Sequence, residues 1–182
     1  RTPIALFPAL RRWVDEHYFP GTPIGLTEYN FGADDHPNGA TAQADVLGLL
    51  GRWGVGLAAR WRAPEPGSPV AEAFRLFRNY DGQGSAFGVE SCEIQNEANP
   101  DECSLFAAGG DDSALTMMLI HKELDGVGEV EIRLEGGPAP GFYEHWLVAN
   151  GDPITRLPDA AIAGQGILLR VPPQSVSLLV VR

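Results

Sequence analysis

The stretch Pro23-Ile24-Gly25-Leu26-Thr27-Glu28-Tyr29-Asn30 decides the reading of the fold. A short apolar run that ends in polar groups is how a buried parallel strand delivers side chains to its C-terminal end. Upstream, residues 3–18 place Ile4, Leu6, Phe7, Leu10, Trp13 and Val14 on one helical face, with Arg11, Arg12, Asp15 and Glu16 opposite. Phe19-Pro20-Gly21 ends that helix. Downstream, residues 41–53 return to helical spacing through Ala44, Val46, Leu47, Leu49 and Leu50, and Gly54 closes the segment as a left-handed residue. Val55-Gly56-Leu57-Ala58-Ala59-Arg60-Trp61 reads as a second short strand. Ser68-Pro69 then opens a helix carrying Val70, Ala73, Phe74, Leu76 and Phe77 as far as Tyr80-Asp81-Gly82. The order helix, strand, helix, strand, helix amounts to two βα units in series.

The character changes near Gly82. Short or alternating apolar stretches predict strands at 86–94, 104–108, 114–122, 129–134, 142–149, 167–171 and 175–181. Gly109-Gly110, Gly136-Gly137-Pro138 and Pro172-Pro173 punctuate them, and such spacing predicts an antiparallel β-sandwich. The expected organisation is therefore residues 1–81 as an α/β part and residues 82–182 as a sandwich. Two βα units do not close a barrel, which needs eight and ~250 residues. The first part is either a small open sheet or the last two βα units of a (β/α)8 TIM barrel whose remainder lies upstream. The chain starts at Arg1 and its methionines are Met117 and Met118, so a processed product or an excised fragment is expected.

Lys and Arg number 13 against 24 Asp and Glu, a net charge of −11, which repels phosphate backbones and anionic lipid. Neither nucleic acid nor a membrane is an expected partner, whereas neutral polymers are not disfavoured. At 182 residues, 44% of them hydrophobic, the chain can bury a core without metal or disulfide staples. Cys92 and Cys103 bracket a polar, turn-rich segment, so they form either a bridged loop, implying an oxidising compartment, or two free thiols. No cysteine or histidine cluster supplies a zinc site. Asp34-Asp35-His36 are three adjacent loop residues, which rarely converge on one ion, so no metal or cofactor is expected.

Glu28 is the residue to single out. A carboxylate at the C-terminal end of a barrel strand points into the mouth where such barrels do their chemistry; the plainer alternative is a strand-end glutamate in a surface ion pair. Trp61 ends the next strand, either as an indole exposed beside Glu28 for stacking on a sugar or as a core residue. Asn96-Glu97 has the look of an acid/base pair, but it lies downstream of Glu28 in the Cys92–Cys103 segment and reads as a loop.

Three blocks in order, Leu26-Thr27-Glu28-Tyr29-Asn30-Phe31-Gly32, Ala42-Gln43-Ala44-Asp45-Val46-Leu47-Gly48 and Phe77-Arg78-Asn79-Tyr80-Asp81-Gly82, resemble the C-terminal part of glycoside hydrolase family 44. That resemblance implies a retaining endo-β-1,4-glucanase or xyloglucanase, secreted, with a (β/α)8 barrel and a β-sandwich. It implies that Glu28 is the nucleophile on the seventh strand and that Trp61 lines the sugar site from the eighth. Tyr29, Asn30 and His36 follow as substrate-binding neighbours. No position here matches the family's acid/base, so the isolated chain should be inactive and need its upstream barrel segment. The alternative is a non-catalytic role, with the sandwich either binding carbohydrate through Phe142, Tyr143 and Trp146 or stabilising the barrel.

Overall fold

A computed structural model of the chain describes residues 5–95, 98–110, 114–135, 141–164 and 166–182. Asn96-Glu97, the start of the first predicted helix and the predicted Gly136-Gly137-Pro138 turn lie outside the described residues. Contacts divide the chain into two compact units, Arg1–Asn30 with Val46–Ala63 and Phe31–Asp45 with Pro64–Arg182.

The first unit contains α1 (Leu6–His17), β1 (Ile24–Tyr29) and β2 (Val55–Arg60), with the second half of α2 (Pro37–Arg52). β1 and β2 pair in parallel, which fixes a βα unit whose crossover is α2. The turn after α1 is tied down by Asp15, whose Oδ1 accepts the Gly21 N–H at 2.8 Å and faces Arg11 at 3.6 Å. The sequence reading expected β1 to be buried. Instead no residue of α1, β1 or β2 is buried, and Leu6, Trp13, Leu57 and Trp61 are exposed. β1 pairs with no described strand other than β2, so the apolar faces that suited a barrel interior stand open.

Among the described residues, the second unit holds α3 (Pro69–Arg78) and eight strands. Ser68 caps α3 by accepting the Ala71 N–H at 3.3 Å, with Pro69 at the first helical position. β3 (Glu90–Ser91), β4 (Cys103–Gly109), β5 (Leu115–His121), β10 (Ser175–Val181), β7 (Phe142–Val148) and β8 (Thr155–Ala161) form one antiparallel sheet in that order. β6 (Gly128–Arg133) and β9 (Gly166–Val171) form a second, two-stranded layer. The sandwich core lies between the layers, with Met117, Leu119, Leu179 and Val181 against Ile132, Ile167, Leu169 and Val171. β10 joins β5 to β7 and is buried at every residue. Its other face is covered too: Trp146 pairs with Leu178, and Tyr80, just past α3, packs on Trp146 with ring centroids 5.2 Å apart.

Glu72 fixes α3 to this sheet. Its carboxylate is buried, accepts from Arg75 Nη1 at 2.9 and 2.8 Å, and takes the backbone N–H of Ile154 at 2.9 Å.

Three expectations change here. The strand predicted over 86–94 shrinks to two residues because the chain approaches β4 too closely for a regular ladder. A Cβ at Gly88 would sit 2.3 Å from the Gly109 carbonyl oxygen, and the Gly88 N–H is taken by Thr116 Oγ1 at 2.9 Å. β8, which the sequence left as loop, is an edge strand that tolerates Pro158 there. The disulfide alternative for Cys92 and Cys103 is corrected, since both are free thiols. The Cys92 N–H donates to Ala107 O at 2.9 Å, so Cys92 registers four residues along β4 from Cys103. Four strand residues span about 13 Å, whereas bridged cysteines have Cα atoms within about 7 Å.

Candidate active site

β1 and β2 run side by side with Ile24 opposite Val55 and Tyr29 opposite Arg60, so their C-terminal ends reach the same edge. Between Leu26↔Ala58 and Tyr29↔Arg60, β1 uses three steps where β2 uses two. The extra residue makes a bulge over Thr27 and Glu28, and both side chains are exposed there. A bulge leaves ladder groups unpaired and turns a side chain out of the sheet's ordinary direction. Glu28 is thus presented at the strand end rather than folded into the pleat.

Trp61 follows β2 directly. Its N–H donates to Tyr29 O at 2.9 Å, which carries the parallel ladder one residue past the strand and pins the backbone beside Glu28's neighbour. The indole itself is 63% exposed. Tyr29 is half-buried, and Asn30 is exposed at the end of β1. The first unit therefore brings Glu28, Tyr29, Asn30 and Trp61 to one edge. An exposed carboxylate beside an exposed indole can present a negative oxygen to a polarised carbon while a planar apolar surface holds a sugar ring.

His36 belongs to the second unit and has a local duty. Its Nδ1 accepts the Asn38 N–H at 3.1 Å, which caps the start of α2 and leaves the ring proton on Nε2. The sequence reading began this helix at Thr41, where the apolar spacing starts. Pro37 instead fills the first turn, where its missing N–H is no loss.

The third block of the resemblance builds a joint. Asp81 accepts from Gln83 N–H at 2.8 Å, Ser85 N–H at 3.1 Å and Ser85 Oγ–H at 2.7 Å, and the Ser85 hydroxyl chiefly holds its carboxyl below the usual range. Asn79 Oδ1 accepts the Gly84 N–H at 2.7 Å, and Gly82 takes φ +75°. In the second block, Asp45 accepts from Lys122 Nζ at 2.7 Å.

The aromatic trio of the sandwich does not form a flat sugar-binding platform. Tyr143 is buried in the core, Trp146 is half-buried between Tyr80 and Arg156, and Phe142 alone of the three is exposed. Among the described residues, no group of three or more His, Cys, Asp or Glu side chains is placed to hold a metal ion. None of the described helices is long and apolar enough to cross a membrane.

Sequence reasoning missed two buried polar devices, the Glu72 carboxylate and His145. The latter's Nε2 lies 2.9 Å from Ser177 Oγ, and burial pushes its pKa down to about 4. Each sits within an otherwise apolar pattern, where one polar letter in the sequence does not announce its partner.

No protein-family model matches the chain. Over 125 residues it is 37% identical to a "Beta-mannanase/endoglucanase A" of Caldicellulosiruptor saccharolyticus, an alignment covering 68% of this chain and 9% of that protein. Among solved structures it superposes on a bifunctional glucanase-xylanase from a metagenome library with a TM-score of 0.92 and 43% identity, covering 97% of this chain and 34% of that one. A Paenibacillus polymyxa xyloglucanase of glycoside hydrolase family 44, solved with xyloglucan, gives a TM-score of 0.88 and 28% identity, over 97% of this chain and 35% of that one. The chain thus spans about a third of these solved structures and a tenth of that curated relative.

Proposed function

From a chain that matches the C-terminal portion of family 44 endoglucanases and xyloglucanases, we propose a retaining endo-acting β-glucan hydrolase in which Glu28 is the nucleophile. The observation that carries the reading is the pairing of an exposed, bulge-presented Glu28 with an exposed Trp61 at the C-terminal edge of two parallel strands. In this reading residues 1–81 supply the last two βα units of a (β/α)8 barrel, and residues 82–182 are the sandwich that stabilises it. The open apolar faces of α1, β1 and β2 support it, because the remaining barrel strands and helices would cover them. The acidic chain suits a secreted enzyme working on a neutral polysaccharide such as β-1,4-glucan or xyloglucan.

In the first half-reaction a Glu28 carboxylate oxygen bonds to the anomeric carbon as the glycosidic C–O bond breaks. A second carboxylic acid, from the upstream barrel segment, gives its proton to the departing oxygen. Water then attacks the same carbon, its proton returns to that second carboxylate, and Glu28 leaves as carboxylate. Trp61 and Tyr29 shape the glucosyl subsite, Asn30 borders it, and His36 sets the loop that follows by capping α2.

The test is a 2-deoxy-2-fluoro-cellobioside with a good leaving group, applied to the polypeptide with its upstream segment. One label per chain is expected on the peptide containing Glu28, and none on the 182-residue chain alone. Glu28→Gly should lose on the order of 10⁴-fold in kcat and regain activity with azide, yielding the inverted glycosyl azide. A label on another carboxylate, or undiminished turnover by Glu28→Gly, overturns the assignment.

A further inference from the structure

β2 carries one long charged side chain, and it sits on the last residue of the strand. The burial of β2 is uneven. Gly56, Leu57, Ala58 and Ala59 are exposed, whereas Val55 at the start and Arg60 at the end are half-buried. A leucine thus stands open to solvent while an arginine three places on is drawn in. An arginine at an open strand end keeps its charged head in water unless something holds it. The holding contact is local: Arg60 Nη1 donates to the carbonyl oxygen of Arg62, two residues ahead.

Trp61 lies between those two residues. The chain leaves the strand there, and Trp61 and Arg62 form a bend. A bend just past the last residue of a strand is where an element frays. Two hydrogen bonds oppose that here. The Trp61 N–H, held by Tyr29 O at 2.9 Å, fixes the backbone that enters the indole's Cα. The Arg60 guanidinium fixes the backbone that leaves it, one residue later. Arg60 stands opposite Tyr29 in the register, so both contacts start from the same rung of the ladder. The indole is exposed and has little packing of its own to set its direction. Its direction follows from the backbone that carries it, because the rotamers open to a side chain depend on that backbone's φ and ψ.

We propose that Arg60 is a positioning residue for the glucosyl subsite: it closes the bend around Trp61 and so aims the indole at the sugar ring. This deepens the proposed function, on which it rests, by saying what holds the stacking surface in place. Stacking needs the indole plane parallel to the sugar's apolar face. An indole that samples several directions binds through its competent fraction alone, and the apparent affinity falls by that fraction. Arginine suits the task because its planar fork carries several donors on a stem long enough to fold back over its own strand end. Arg60 touches no substrate in this scheme; it acts through Trp61.

A double-mutant cycle on the polypeptide with its upstream segment tests this, with cellopentaose as substrate. Arg60→Met keeps an apolar stem and loses the donors. In the parent it should raise KM about two- to tenfold, the range of one net hydrogen bond, with kcat changed by less than about twofold. In the Trp61→Ala background the same substitution should leave KM unchanged, because no indole is left to aim. Arg60→Lys, which keeps a donor on a long stem, should recover part of the loss. Should Arg60→Met not fold, Arg60→Gln, polar but shorter than arginine, takes its place in the cycle. An unchanged KM in the parent overturns the proposal. So does an equal rise in both backgrounds, since a role in stability or a direct contact with sugar acts without Trp61. If Trp61→Ala raises KM and Arg60→Met adds to it independently, the positioning role falls and the subsite reading stands. If Trp61→Ala alone leaves KM unaltered, the subsite reading falls and takes the positioning role with it.

Discussion

Acidification should weaken the second unit through one residue, His145. The ring sits inside the sandwich at 7% exposure, with Nε2 2.9 Å from Ser177 Oγ. Burial lowers its pKa from the ordinary 6.5 to about 4, because a charged imidazolium there would lose its hydration. Between those two values the unfolded chain binds a proton that the folded chain refuses, so stability falls as pH falls through the window. The contribution is complete above about pH 6.5 and is lost by about pH 4. A displacement of roughly two and a half units, at about 1.4 kcal/mol each, makes it about 3 kcal/mol. Urea denaturation of the 182-residue chain at intervals from pH 7.5 to 4 measures it, with His145→Gln as the comparison, since glutamine can bond Ser177 without titrating. The difference in stability between the two proteins should shift by about 3 kcal/mol across the window, the parent losing more. A difference constant to within about 0.5 kcal/mol refutes the reasoning, because carboxylates elsewhere titrate equally in both.

Glu72→Ala strands the buried N–H of Ile154 and removes the Arg75 pairing, which should cost about 2–3 kcal/mol in a thermal or urea melt; Glu72→Gln keeps an acceptor and should cost about 1. Thiol reagents should modify one cysteine of the native chain, Cys92, and two after denaturation, since burial raises the Cys103 thiol's pKa and hides it; unreactive thiols in the denatured, unreduced chain would restore the disulfide. Trp61→Ala in the polypeptide with its upstream segment should weaken oligosaccharide binding by about 1–2 kcal/mol, five- to thirtyfold in KM, with no change in the melting of the isolated chain.

What the sequence displays follows from what each residue must do locally. Glu28 and Trp61 are legible because a strand end is a local event: the apolar run stops, and the next polar or aromatic letters are the ones presented. α3 is legible for the same reason, with Ser68-Pro69 spelling its cap. β10 is legible as a strand, yet nothing in Ser175-Val176-Ser177-Leu178-Leu179-Val180-Val181 says that both its faces are covered, because one face depends on Tyr80 and Trp146, far away in sequence. β8 hides for the opposite reason. Thr-Arg-Leu-Pro-Asp-Ala-Ala has no alternation to read, and pairing with β7 alone makes it a strand. The bulge that presents Glu28 is equally silent, since it arises from register with β2. The burial of β1 was overestimated because an apolar strand specifies a covering layer without containing it.

β10 has a consequence for the order in which this polypeptide can acquire its shape. The sheet falls into two halves, β3–β4–β5 and β7–β8, and among the described strands β10 alone hydrogen-bonds to both. A ribosome makes the strands in sequence, so each half emerges with a raw edge and waits for the last described strand before the two are joined. Hairpin β4–β5 forms early from neighbouring residues, but closure needs partners more than fifty residues apart along the chain, the slow kind of contact. Until residues 175–181 arrive, the nascent chain carries two sticky edges that a chaperone has reason to hold. Loss of residues 175–181 would then remove more than one strand: it would leave the two halves with no described strand to join them.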